Sequence, residues 1–196
     1  MKPSGDFLGK STKTSIDAQQ SLLSDSKTIA ENANVCNAIV TAFKHGNKLL
    51  LFGNGGSAAD AQHIAAEFVG RFAFDRAALA AIALGVNGSC LMAIGNDYGF
   101  EHAFSRQVEA FGRAGDVAVG ISTSGNSPNI LQGLATAKRM GLRTVALAGQ
   151  TGGKLRGSEN VDSCICAPMG ETARIQECHI LIGHVICEIV EQELFG

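Results

Sequence analysis

Apolar residues recur at Ile16, Leu23, Ala30, Ala33, Cys36, Val40 and Phe43, in steps of three, four and seven. That spacing predicts one or two amphipathic helices between about Ser15 and Lys44, ended by Gly46. Beyond it, short apolar runs alternate with helical patterns. Lys48–Phe52, Leu79–Leu84, Val117–Ile121, Thr144–Leu147 and Ser163–Ala167 read as strands, and segments 57–71, 101–111, 127–140 and 172–194 as helices. Strands that are apolar almost throughout belong to a parallel sheet buried on both faces. The expected architecture is therefore α/β, a three-layer sandwich with a five-stranded, flavodoxin-like parallel sheet. With no linker or repeat in view, residues 1–46 read as an N-terminal helical extension and 47–196 as the domain it belongs to.

Composition narrows the classes. The chain has 196 residues, 45% of them hydrophobic and 17% charged, with a net charge of −2, as in an ordinary globular protein. No run of Lys or Arg forms a stripe, so no nucleic-acid partner is expected. The polar stretch Met1–Thr14 lacks the apolar core of a signal peptide. His184 and Glu188 interrupt the longest apolar stretch, Ile180–Val190, so no membrane partner is expected either. The six cysteines form no CxxC pair and sit mostly in apolar segments, which reads as buried, reduced thiols of a cytoplasmic protein.

In a parallel sheet, ligands bind beyond the carboxyl ends of the strands. Three polar, glycine-rich turns draw attention there: Gly53-Asn54-Gly55-Gly56-Ser57, Ser122-Thr123-Ser124-Gly125-Asn126-Ser127, and Gly95-Asn96-Asp97-Tyr98-Gly99. The second leads into a helix with Ser127 as N-cap, Pro128 at the first helical position and Gly141 beyond its end. Four hydroxyls beside a positive helix end exceed what capping needs and suit a phosphate. No Gly-Lys-Ser/Thr follows, which excludes a P-loop. The first turn, with Ala58, fits G-x-G-x-x-A, but no carboxylate closes the next strand, so nicotinamide binding is a poor second choice.

His63, Glu67 and Arg71 lie four residues apart in a polar stripe opposite Ala61, Ala65 and Phe68. Such a stripe could ligate a metal, or set an acid and a base on one substrate, or be an exposed ion pair with a surface histidine. The last helix is apolar almost all round, yet it carries Gln176, His179 and His184. Buried imidazoles and amides need partners, so some of these three should line a site.

Together these motifs resemble the SIS (sugar isomerase) domain family, and within it the sedoheptulose 7-phosphate isomerases. The resemblance runs from about Ser15 to Gly196, most specifically in GNGGSAADAQHIAAEF, AIGNDYGFEHAFSRQVEAFGRAGDV, ISTSGNSPNI and RIQECHILIGHVIC. It implies that Ser122, Thr123, Ser124 and Ser127 bind the phosphate. Asn54, Gly55, Gly56, Asn96 and Asp97 would contact the sugar, supported by Arg71. His63, Glu67, Gln176 and His184 match a site for one zinc ion per subunit, and Gln176 and Glu67 also face substrate. Glu67 and His184 match the acid–base pair of an aldose–ketose isomerase that works through an enediol and feeds heptose to lipopolysaccharide. A homotetramer with sites completed by neighbouring subunits is implied as well. The rival within the same fold is a non-catalytic binding or regulatory protein of the replication-initiator-associating type.

Overall fold

The structure is a computed structural model describing residues 4–196, with side chains from Phe7 onward, so Met1, Lys2 and Pro3 of the polar leader lie outside it. Helix α1 (Ser4–Ser24) begins well before Ser15 and is followed at once by α2 (Ser26–Lys44). The split falls at Asp25, whose carboxylate accepts from the Lys27 and Thr28 amides and the Thr28 hydroxyl. One apolar stripe is thus carried by two helices because an N-cap residue interrupts it.

Five parallel strands follow: β1 (Leu49–Gly53), β2 (Ala81–Ala83), β3 (Val117–Ser122), β4 (Arg143–Ala148) and β5 (Ser163–Cys166), in the order β2-β1-β3-β4-β5. Helices α3 (Gly56–Val69), α4 (Gly88–Tyr98), α5 (Ser105–Phe111), α6 (Pro128–Arg139) and α7 (Thr172–Phe195) complete the chain, with a 3₁₀ turn at Phe100–His102. The period of two sorts each strand between two cores. Leu49, Leu51, Val119, Ile121, Val145 and Leu147 meet α2, α3 and α7 on one face. Leu50, Phe52, Ala118 and Ala146 meet α5 and α6 on the other. This is the expected three-layer α/β sandwich. No described helix is long and apolar enough to cross a membrane.

Two expectations differ. The segment Gly95–Gly99 is the end of α4 rather than a strand-following turn, so Asn96 and Asp97 sit on a helix that Asn87 caps through the Cys90 amide. The expected strand Leu79–Leu84 shrinks to three paired residues, because β2 is an edge strand paired only with β1.

The strand order sets the site. From β1 the chain steps outward to β2, then back across to β3, so the sheet's topological switch lies between β1 and β3. Gly53 pairs with Ile121 there, which brings the two turns that follow these strands side by side.

Candidate active site

The Ser122–Ser127 loop is braced through its carbonyls. The oxygens of Ser122, Thr123 and Gly125 accept from the Gly125, Gly149 and Leu155 amides, and that of Ser124 from the Asn126 side chain. Gly125 has φ +66, and a methyl group there would stand 2.0 Å from the Gly152 carbonyl oxygen, so the loop needs glycine on both counts. With the carbonyls engaged, the loop presents its hydroxyls at the positive end of α6, where Pro128 has no N–H and the Ile130 and Leu131 amides already bond the Ser127 carbonyl. Ser127 holds the N-cap position without a capping bond from its side chain. Its Oγ lies 3.1 Å from Ser122 Oγ instead, while Asn129 Oδ1 accepts the Ile130 amide.

Asn129 and Asn54 exchange both of their amide bonds, at 2.8 and 2.9 Å, tying the start of α6 to the turn after β1. A cavity of about 580 Å³ opens beside them, lined by Asn54, Ser127, Asn129, Gln132, Phe100 and Glu101. Gly56 leaves room for Gln176, whose Nε2 would be 2.2 Å from a methyl group at that position.

Helices α3 and α7 then run side by side in one direction. Gly56 meets Gln176, Ile64 fills the space left by Gly183, and Phe72 beyond α3 is held by Glu191. This register brings His63, Glu67 and His184 together. The Nε2 atoms of His63 and His184 are 2.8 Å apart, so one imidazole donates to the other, and His63 Nε2 is 3.5 Å from Glu67 Oε1. The Phe72 ring lies 5.9 Å from the His184 ring.

Not every expected residue joins them. Gln176 precedes His184 by eight residues, roughly 12 Å of helical rise, and stands at the other end of the α3–α7 contact. Arg71 is exposed just beyond α3. Asn96 and Asp97 are exposed on α4 and bond to each other at 2.8 Å. His179, singled out with the other polar residues of the last helix, is fully buried and bonded to the Ala148 carbonyl, a core histidine.

The nitrogen and oxygen donors of His63, His184 and Glu67 are of the type zinc takes. Among the described residues, however, no group of three or more His, Cys, Asp or Glu is arranged to hold a metal ion. The donor set fits zinc in kind, and Gln176 is the donor furthest from the rest.

The sequence reading missed what holds this cluster. Glu191, buried on α7, accepts from the amides of Phe72 and Ala73 at 2.9 and 2.7 Å and from Arg76 Nε at 2.9 Å. The Arg76 guanidinium donates in turn to the carbonyls of Glu67, Phe68, Gly70 and Ala77. Burial pushes the Glu191 carboxyl upward, but the Ala73 and Phe72 amides and Arg76 outweigh it and hold it below the usual carboxylate range. On α3, burial raises the Asp60 carboxyl, against a smaller opposing pull from His63.

Comparison with known proteins places this geometry. Residues 16–149 match the model of the SIS domain, and the chain belongs to the SIS domain family. The phosphoheptose isomerase of Clostridium acetobutylicum is 50% identical over 97% of this chain and 96% of its own. Phosphoheptose isomerase 2 of Campylobacter jejuni is 54% identical over 93% of this chain and 90% of its own. The solved phosphoheptose isomerase of Neisseria gonorrhoeae superposes with a TM-score of 0.89 at 40% identity, covering 97% of this chain and all of that one. Within the SIS family the chain stands among the phosphoheptose isomerases, so it is an enzyme, and the non-catalytic reading is not favoured.

Proposed function

We propose that the chain interconverts sedoheptulose 7-phosphate and D-glycero-D-manno-heptose 7-phosphate through an enediol. The observation that carries this reading is the convergence of Glu67, His63 and His184 through one imidazole nitrogen. An aldose–ketose shift needs one group to move a carbon-bound proton and another to serve the oxygens. Glu67, beside solvent at one-quarter exposure, takes the proton from one carbon and returns it to the next. His184 exchanges protons with the sugar oxygens, and its contact with His63 Nε2 fixes the ring. The hydroxyls of Ser122, Thr123, Ser124 and Ser127, at the positive end of α6, hold the phosphate and so set where the chain of the sugar begins. Asn54, Gly55, Gly56, Asn96, Asp97 and Arg71 are the proposed sugar contacts.

One zinc ion per subunit would be held by His63, Glu67, Gln176 and His184. When bound it supplies Lewis-acid polarisation of a carbonyl. The apolar face of α1, α2 and α7 supports a homotetramer: Leu23, Ile29, Leu181 and Ile189 are exposed around a groove of about 470 Å³. Six free cysteines support a reducing compartment, the cytoplasm, where the product would feed heptose to lipopolysaccharide.

The test is Glu67→Gln assayed by NMR on sedoheptulose 7-phosphate. Turnover should vanish while the sugar phosphate still binds. Near wild-type conversion by the variant would remove Glu67 from the chemistry, and no aldose from the parent enzyme would refute the substrate.

A further inference from the structure

Strand β5 carries Cys164 and Cys166 two residues apart, so both thiols point from the same face. That face is the open one: Ser163 and Ile165 are buried, while both cysteines are half-buried. Their sulfurs are 3.8 Å apart. They line a cleft of about 410 Å³ on the strand two places from β3, walled by Asp25 with Lys27 and Glu31 of α2 on one side and by Arg156 and Asp162 on the other. Cys36, Cys178 and Cys187, by contrast, are buried in the core, where desolvation keeps a thiol protonated and inert.

We propose that Cys166 and Cys164 form a thiol–disulfide exchange site that takes small, low-molecular-weight disulfides. Cys166 is the attacking thiolate and Cys164 the resolving thiol. The Cys166 thiolate attacks one sulfur of the incoming disulfide; a Cys166–S–S–R bond forms, the old S–S bond breaks, and one thiolate leaves. Cys164 loses its proton to solvent and attacks the Cys166 sulfur, releasing the second thiolate and closing a Cys164–Cys166 disulfide. Two protein thiols are oxidised and one small disulfide is reduced to two thiols.

The surroundings assign the roles. Cys164 hydrogen-bonds to the Cys166 sulfur, and Arg156 and Lys27 add positive charge. Against burial and Asp25, these hold the Cys166 thiol down to about 7. Cys164 moves the other way, pushed up by that same bond, by burial and by the neighbouring sulfur. A thiol near ambient pH is the best attacker in exchange. Residues two apart in a strand have Cα atoms about 6.6 Å apart, at the upper edge of disulfide reach, so the bridge is strained and readily reduced again.

The probe is 5,5′-dithiobis(2-nitrobenzoate) added to the full chain carrying Cys90→Ser, which removes the other half-buried thiol. Two thionitrobenzoate anions should be released per chain, leaving a protein two hydrogens lighter with no aryl adduct. Adding Cys164→Ser, whose hydroxyl can still donate, should leave one aryl adduct, mapped to Cys166. In that variant Cys166 should form its adduct faster than the buried Cys36, Cys178 and Cys187 react. Two stable aryl adducts in the protein that keeps both thiols would overturn the proposal, as would an adduct in the variant that maps to any cysteine other than Cys166. The mass measurement needs no substitution at either thiol, so a folding defect in the second variant cannot mask the answer.

Discussion

Glu191→Gln tests the clamp behind the active site. The wild-type carboxylate accepts three bonds and neutralises Arg76, with side chains only 1% and 2% exposed. Glutamine keeps one carbonyl oxygen but turns an NH₂ toward backbone donors and leaves the guanidinium uncompensated. Breaking a buried pair from one side costs about 3–5 kcal/mol. At a slope near 2.5 kcal/mol per molar for a chain of this size, the urea midpoint should fall by roughly 1.5 M, measured at fixed protomer concentration.

The companion variant is Arg76→Met with Glu191→Leu, which replaces both charges by apolar groups. The swap removes the unpaired charge but orphans the Phe72 and Ala73 amides and the carbonyls that Arg76 serves, so only part of the lost urea resistance should return. Activity should not return, because nothing then holds the Glu67 and Gly70 carbonyls or keeps Phe72 against His184. The acid side gives a second check. A carboxyl held low in the folded state stabilises fully above its unfolded value near 4.3, and that contribution is lost as pH falls through the folded one. The gap between wild type and Glu191→Gln should therefore be constant above about pH 5 and close in stronger acid. A loss below about 1 kcal/mol in the single variant would refute the energetic reasoning, and full activity in the double variant would refute the positioning role.

Ser127→Ala should raise KM for the sugar phosphate yet cost no more than about 1 kcal/mol in urea unfolding, the worth of its bond to Ser122, because its hydroxyl makes no capping bond. A loss near 2 kcal/mol would mean that it caps after all. Gly125→Ala combines strain at φ +66 with a 2.0 Å clash against Gly152, so it should cost about 1–3 kcal/mol or more and weaken substrate binding. Thermal melts and KM on the same sample check both effects, and an unchanged KM would detach this loop from the phosphate. His179 is buried and bonded to Ala148, and burial holds its imidazole below the usual histidine range. Below about pH 6.5 the unfolded chain gains a proton there that the native state resists, so stability should fall with acid, and His179→Gln should flatten that slope in melts between about pH 5 and 7.

What the sequence shows and hides follows from how far each signal reaches along the chain. The strands were legible because runs such as Leu49–Phe52 are apolar at every position, and only a sheet covered on both faces buries Leu49 and Leu50 alike. Helix α4 was not, because only Ile94 of its residues is buried, so no stripe marks it, and Gly95 imitates a turn; the cap at Asn87 was the signal that could have found it. Ser127 reads as a cap from local chemistry alone. Only the fold shows its hydroxyl turned to Ser122, with Asn129 bonding the next amide. The polar stripe of α3 and the histidines of α7 could each be suspected of lining a site, but the contact between His63 and His184 spans 121 residues. It is fixed by the parallel register in which Gly56 admits Gln176 and Gly183 admits Ile64. Arg76 and Glu191 lie outside every motif and 115 residues apart. A charge in an apolar helix was nonetheless a clue: Glu191 sits among Cys187, Val190 and Leu194, where a carboxylate persists only with a cation and several donors to meet it.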